Sequence, residues 1–578
     1  MSSILADFYD RFVLQQPRLT MLVLALTLGL FAMGLPQFRL DASADSLLLE
    51  SDPELQHFRD LAKRYNSREF LFITVTPQGG LFNPDAMKLI ADMRGALREV
   101  AAVDSVVTLL DVPLVKNVPG KLSEVAANFR TLESRDVNLE NARKELTESP
   151  LYRKVVLSPD GATTAIRVIL HDDPAYRALQ IERGDLLYQR ATAELSATQR
   201  TRLAQIEPIY RQEKDRVDRA THQTLDELRR LIATFAPRAE VHLGGISMIA
   251  DDMISFVRAD IVIFGIGALV LAVAMLGYIF RELRWVLTPV IVCVFCTTLI
   301  LGLLGHVGWH LTVISSNFIA LTLILTISIN IHLIVRYREL ITEHPDWSQY
   351  QLVRAVCHDM AQPCLYTSLT SIIGFASLVT SDIKPIIDFG WMMTVSLFVV
   401  YCVVFTLVPA LMLLMRKRDS RHADGENWGF TEALARITDR HGRTVLLVAL
   451  ALTIGGVVGA SRLQVENSFI NYFKQDTEIY QGLKKVDETL GGTTPLDVIL
   501  KFPPPETGAA PGDDELAELY GETEPVAKSE YWFTPEKVAR IKQVHDYLEQ
   551  IPGVGKVSSL ASLVRVAEEI NQGREFDP

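Results

Sequence analysis

The chain has 578 residues, of which 49% are hydrophobic, with a mean hydropathy of +0.19 and a formal net charge of -12. It is too apolar for an ordinary soluble enzyme and too charged to lie wholly inside a membrane, so we expect membrane spans joined to polar domains. The acidic balance excludes nucleic acid as the expected partner, because phosphate binding requires clustered lysine and arginine.

Windows of about 20 apolar residues, the length that crosses a bilayer, predict seven spans. In chain order they are 19–37, 260–280, 285–305, 311–335, 363–381, 390–415 and 444–461. Basic residues precede the first span and follow the second, fourth and sixth, which predicts a cytoplasmic N-terminus. Residues 38–259 and 462–578 then lie outside the cytoplasm, and 416–443 forms a cytoplasmic linker. A cleaved signal peptide is the alternative for the first span, with "ASA" at 42–44 as its cleavage site.

Residues 1–18 predict an amphipathic helix that lies in the plane of the membrane. Ile4, Phe8 and Phe12 share one face of it, directly before the first span.

Residues 38–259 predict an α+β domain. The expected elements are strands near 70–76, 104–110, 164–170 and 240–243, a hairpin from 153–158 to 164–170, and helices that begin near Asn83 and Lys121. Short β-α-β units of this kind are typical of ferredoxin-like subdomains. Residues 175–235 are charged and strongly helical, and predict a helical hairpin broken near Pro208, with Leu225, Leu228 and Ile232 as its seam. A solvated extension and a docking arm for a partner are both compatible with this pattern.

The sequence contains an internal duplication. "FRL" at 38–40 resembles "SRL" at 461–463, an offset of 423 residues, whereas Pro84 and Pro535 match at an offset of 451. The Pro-, Gly- and acid-rich stretch 503–530 accounts for the difference as an insertion. Each copy reads as span, strand ("FLFITV" or "DVILKF"), helix and strand. The second copy stops partway, so we expect a fragment of a longer transporter-sized protein.

Four blocks of the sequence resemble a known family. The blocks "FRELRWVLTPVIV", "RYREL", "LTSIIGFASL" and "DFGWMMTVSLFVVYCVVFTLVPALMLL" are similar to the resistance-nodulation-division (RND) superfamily, in its MMPL-like and hopanoid-transporter-like branch. The five spans in 260–415 also resemble the sterol-sensing arrangement of that superfamily. The resemblance implies a multi-pass α-helical protein of the bacterial inner membrane with periplasmic porter domains. It also implies twelve spans, of which seven are present, and proton-driven export of lipids or other hydrophobic compounds.

Proton coupling needs an ionisable group in the bundle, and the fourth span departs from the family there. The family typically has an aspartate about eight residues before the arginine of "RYRE", and Ser328 stands at that place, with Asn330 and His332 nearby. No carboxylate lies between Trp309 and Arg336. Histidine titrates near neutral pH, so His332 is the proton-carrying candidate. The alternative is that Ser328, Asn330 and His332 only bond to neighbouring helices or lie near the cytoplasmic interface.

Other residues have mainly structural interpretations. Asp251, Asp252 and Asp260 mark the junction between the external domain and the second span, either as a transmission point or as solvated charges. The packing candidates are Gly374 and Phe375 for close helix approach, Pro289 and Pro409 for helix bends, and Asp388 as an N-terminal cap of the sixth span.

No pattern in the sequence indicates catalysis, a metal or a cofactor. We find no nucleophile-base pair and no phosphate-binding loop. The C-x-x-C of Cys293 and Cys296 lies in an apolar span, which favours packing over redox or metal chemistry.

The leading hypothesis is therefore an exporter whose partners are membrane lipids and a hydrophobic substrate. The alternative is a non-transporting lipid or sterol sensor, or an accessory scaffold. A homo-oligomer and a periplasmic partner both stay open.

Overall fold

The computed structural model describes residues 7–41, 48–65, 70–115, 130–135, 137–312, 314–417, 429–464, 469–493, 496–502 and 534–570. These residues form two compact units. We call Met1–Phe58 with Asp252–Val465 the membrane unit, and Arg59–Asp251 with Glu466–Pro578 the polar unit. Ile4, the predicted helix start at Lys121, the insertion 503–530 and most of the predicted linker fall outside the described residues.

All seven predicted spans are helices that are long and apolar enough to cross a membrane. They are α1 (Pro17–Ala32), α7 (Ile246–Phe280), α8 (Leu283–Val307), α9 (Phe318–Glu343), α10 (Gln349–Ala376), α11 (Lys384–Leu414) and α13 (Gly442–Ala460). Helices α7 and α10 each begin 14 residues before the predicted span, because a hydropathy window detects only the apolar part of a helix. At about 1.5 Å per residue, a 35-residue helix such as α7 exceeds the ~30 Å hydrocarbon layer, so part of it must lie outside.

Helices α8 to α11 share the hydrophobic core of the membrane unit. Trp285, Val292, Leu333, Val356 and Val400 are among its fully buried members. A short parallel pair, β1 (Arg39–Leu40) with β6 (His310–Leu311), joins the end of α1 to the α8–α9 connection. In contrast, α13 has no buried residue among those described. The amphipathic helix α12 (Gly429–Arg440) precedes it.

The N-terminal segment docks on the bundle. Tyr9 donates a hydrogen bond from its hydroxyl to the Phe405 carbonyl at 2.5 Å, and Leu14 is buried. Phe8 and Phe12 stay exposed, with ring centroids 4.5 Å apart. The described part of this segment therefore has one face on protein and an apolar face left open.

A four-stranded antiparallel sheet forms the centre of the polar unit. Helix α2 (Pro53–Tyr65) precedes the sheet, and the order along the chain is then β2 (Phe70–Pro77), α3 (Pro84–Arg98), β3 (Val103–Val107), α4 (Leu139–Glu148), β4 (Thr164–Leu170), α5 (Pro174–Thr192), α6 (Ala197–Ala233) and β5 (Ala239–Gly244). The order across the sheet is β3-β4-β2-β5. Strand β2 alternates, so Leu71, Ile73 and Val75 point into the core against α3 and α6. The expected hairpin from 153–158 is reduced to isolated bridges, such as Leu157 with Thr164.

The helical hairpin exists, but its turn and its seam differ from the prediction. The chain reverses at residues 193–196, where Ser196 and Gln199 form a capping box at the start of α6. Pro208 lies inside the continuous helix α6. The hairpin packs through Leu186, Leu187, Leu195, Leu203 and Ile206. Leu225, Leu228 and Ile232 belong instead to the core of the sheet.

The second polar region contributes helices to the same unit. These are α14 (Glu478–Thr489), α15 (Pro535–Glu549) and α16 (Leu560–Ile570). Helix α14 packs on β5, and Ile479 and Leu483 enter the core of the sheet. Helices α3 and α15 both have 15 residues and both begin with proline, at the two positions that the duplication pairs. The predicted strand "DVILKF" (497–502) is not a strand. No strand pairs with it among the described residues, and a β-strand requires backbone hydrogen bonds to a neighbouring strand.

Candidate functional site

The polar residues of the fourth span lie on two different sides of α9. Ser328 and His332 are exposed on one face, together with Ile324 and Val335. Asn330 is 0% exposed and points into the bundle. The spacing of four residues correctly predicts the shared face of Ser328 and His332.

Asn330 ends a buried polar row on α9. Its side-chain nitrogen donates to the Thr326 carbonyl at 2.7 Å, and the Thr326 hydroxyl donates to the Thr322 carbonyl, also at 2.7 Å. Among the described residues, the Asn330 side-chain oxygen and the Thr322 hydroxyl have no hydrogen-bond partner. Buried acceptors without a partner cost free energy, so this row is a functional candidate within the span.

A charged cluster lies at the end of α9. Arg336 donates two hydrogen bonds to Asp359 of α10, at 3.0 and 2.9 Å, and one to Glu339 at 3.0 Å. In the sequence, Arg336 serves as the reference that places Ser328, and Asp359 is not among the predicted site residues. The signal was a single carboxylate in "VCHDMAQP", just ahead of an apolar window.

A hydrogen-bond chain joins three helices near this cluster, and a ring contact adds a fourth. Tyr337 of α9 donates to Gln349 of α10 at 2.7 Å, and Gln349 donates to the Met412 carbonyl of α11 at 2.7 Å. The Trp285 ring of α8 lies 5.2 Å from the Tyr337 ring. Together with the charged cluster, these contacts hold α8 to α11 at one end.

The acidic junction residues occupy the first part of α7. Asp251 meets His222 of α6, with the histidine Nδ1 2.9 and 3.0 Å from the two carboxylate oxygens. Asp252 is half-buried, and Asp260 is exposed. His222 is not among the predicted site residues, because it lies 29 positions before Asp251 with a strand between them.

The packing prediction for Gly374 is wrong. An added Cβ at Gly374 would meet nothing within 4 Å, so this glycine makes no close approach to another helix. Close approach occurs between Gly34, which follows α1, and Gly302 and Gly305 of α8. An added Cβ at Gly302 would lie 2.0 Å from the Phe31 carbonyl oxygen. Phe375 packs edge-on against Phe389 at 5.8 Å.

The cap prediction for Asp388 is also wrong. Helix α11 begins at Lys384 with Ile383 at the N-cap position, because the helix extends one turn before the apolar window. Asp388 instead forms an ion pair with Lys384 at 2.9 Å. Helices α8 and α11 continue through Pro289 and Pro409, and both prolines are buried. The bends stay predictions.

Two groups of side chains have the composition of a reactive site, a cysteine pair and a Ser-His-Glu group, and both are buried. Cys293 and Cys296 are both 0% exposed in the apolar core of the membrane unit. In the polar unit, Ser559 and Glu549 lie 2.9 and 3.2 Å from the ring nitrogens of His545. The Ser559 oxygen also accepts the Ala561 N–H next to α16, and His545 is 1% exposed, so a substrate has no access to the histidine. Among the described residues, no group of three or more His, Cys, Asp or Glu could hold a metal ion.

Comparison with known proteins gives one family and two relatives. The MMPL family matches residues 203–440. The hopanoid transporter HpnN of Burkholderia multivorans is 26% identical over 221 residues, which is 38% of this chain and 24% of that protein. A Streptomyces coelicolor protein with the name "Putative membrane protein SCO5905" is 24% identical over 316 residues, 52% of this chain and 36% of that protein. The chain therefore spans about a quarter to a third of the length of these relatives.

Proposed function

Because residues 203–440 match the MMPL family, we propose that this chain works as an RND-type membrane transporter that exports lipids or other hydrophobic compounds. The proposal depends on one observation: the chain that matches this family also has seven helices apolar enough to cross a membrane and a second, polar unit. The hopanoid transporter among the relatives supports a lipid-like substrate.

In this proposal the polar unit is a periplasmic porter domain. Its strand order β3-β4-β2-β5 supports a ferredoxin-like subdomain, in which α4 is an extra helix between β3 and β4 and the pair α5 and α6 takes the place of the second helix. The matched helices α3 and α15 support the internal duplication. The N-terminus lies in the cytoplasm, and the protein lies in the bacterial inner membrane.

The transport cycle is driven by the proton gradient, and His332 is the proton carrier. It is a titratable side chain on an exposed face of α9, next to Ser328. A polar face directed at lipid is costly, so protein or water must cover it in the working transporter. Asn330 lies on the buried side of the same helix. Its side-chain oxygen has no hydrogen-bond partner among the described residues, so it can accept a new hydrogen bond when the charge of His332 changes the helix packing.

The test is transport of a fluorescent lipid by vesicles that contain the whole protein, with and without an imposed proton gradient. His332→Ala is expected to abolish the gradient-dependent part of transport, because alanine cannot carry a proton. His441→Ala, an exposed histidine directly before α13, is the matched control and should transport normally. Unchanged gradient dependence in His332→Ala would refute the proton role.

A lipid or sterol sensor, or an accessory scaffold, is the second candidate. It is favoured by the absence of a carboxylate between Trp309 and Arg336 in the sequence. Lipid binding without transport in the same vesicles would select it over the transporter.

A further inference from the structure

The first turns of helix α7 are attached to the polar unit in two ways. Met248 is fully buried in the core of the sheet, and Asp251, one turn later, meets His222 of α6. Beyond these residues α7 continues as a span candidate. Apolar packing and a contact that can titrate therefore both contribute to holding the first turns of this helix.

Helix α6 is a firm support for this contact. Its Leu225 and Leu228 are fully buried against the sheet, and Arg229 pairs with Glu478 of α14 at 3.2 Å. Because these contacts hold α6 in place, a change at His222 acts on α7 rather than on α6.

Two carboxylates face the histidine. Asp251 lies against Nδ1 at 2.9 Å, and Asp226, one turn along α6, lies 3.7 Å from Nε2. Arg229 is the cation that opposes them. The hydrogen bond to Asp251 and the negative charge of Asp226 near the other ring nitrogen both favour the charged imidazolium over the neutral ring.

We propose that His222 and Asp251 form a protonation-sensitive clasp that fixes the first turns of helix α7 to helix α6. The clasp is tight when His222 is charged and loosens when it becomes neutral. An acidic periplasm would keep the clasp tight. Its role as an element that transmits the proton gradient to α7 rests on the proposed function. The clasp itself does not.

The direction of the pH dependence follows from the environment of the ring. The hydrogen bond and the charge of Asp251 raise the pKa of His222 above the ordinary histidine value. A group whose pKa is raised on folding contributes stability that is complete in acid and is lost as the pH rises through the raised value. The side chain of His222 is 50% exposed, so the effect is that of a solvated ion pair.

Hydrogen exchange of the whole protein in detergent tests the clasp, with rates corrected for intrinsic exchange, between about pH 5.5 and about pH 8.5. In the wild type, opening of the amides in the first turns of α7 should rise roughly threefold across this range, the size expected for a solvated ion pair. In His222→Asn and in Asp251→Asn, the same amides should already open readily at low pH, and their opening should change little with pH.

His171→Asn is the matched control. His171 lies in the same unit, 3.5 Å from Asp104 of β3, and this variant should keep the wild-type profile. A flat wild-type profile, or a pH dependence that persists in His222→Asn, would overturn the proposal. The readout needs no transport, so a working clasp in vesicles that transport nothing would count against the proposed function alone.

Discussion

At the scale of single residues, one glycine marks a position in the bundle that has no room for a larger side chain. Gly302 of α8 lies against the backbone of α1, where an added Cβ would be 2.0 Å from the Phe31 carbonyl oxygen. Small residues allow this approach, and in lipid such packing replaces the hydrophobic drive between helices. Gly374, the residue that the sequence suggested for this role, has open space around it. A glycine in an apolar run indicates that close contact is allowed, and only the neighbouring helix shows whether it occurs.

Gly302→Ala is expected to destabilise the membrane unit by about 1–3 kcal/mol, because the backbone of α1 must move away. Gly374→Ala is the control and should change stability by less than about 1 kcal/mol, or raise it through helix propensity. Thermal unfolding in detergent measures both. Equal losses in the two variants would contradict the glycine contact.

Whole elements show how local signals compete with tertiary ones. The sequence places a break in the helical hairpin at Pro208, since proline disrupts helix interiors. The structure reverses the chain at 193–196, where Ser196 caps α6, and α6 continues through Pro208. The buried row from Leu203 to Ile232 extends on both sides of the proline and keeps the helix intact. Burial along a long helix therefore outweighs one missing hydrogen bond.

Pro208→Ala should stabilise α6, because it restores a backbone hydrogen bond, and should leave the hairpin in place. Ser196→Ala should weaken the start of α6 by about 1 kcal/mol through loss of the cap. Amide hydrogen exchange near each site reports the two effects separately. A hairpin that rearranges in Pro208→Ala would show that the proline does define the turn.

The whole molecule combines a bundle with a separate polar unit. Exposed apolar residues cover much of α1, α7 and α13, which is the pattern of helices that lie in lipid. We expect the chain to stay in the membrane pellet after an alkaline carbonate wash, because extraction would expose these helices to water. Recovery of the chain in the soluble fraction would refute the seven spans. The matched control is a peripheral protein of the same membrane, which the wash releases.

The sequence by itself determined the seven helices that are long and apolar enough to span a membrane, the strands of the sheet and the shared face of Ser328 and His332. These features depend on local hydrophobic length and periodicity, which are written in neighbouring residues. Only the tertiary structure decided that Asn330 is buried, that Asp359 pairs with Arg336, that Gly302 contacts α1 and that His222 meets Asp251. These contacts join residues from different helices, and no local pattern specifies which helix faces will meet when the core excludes water and lipid.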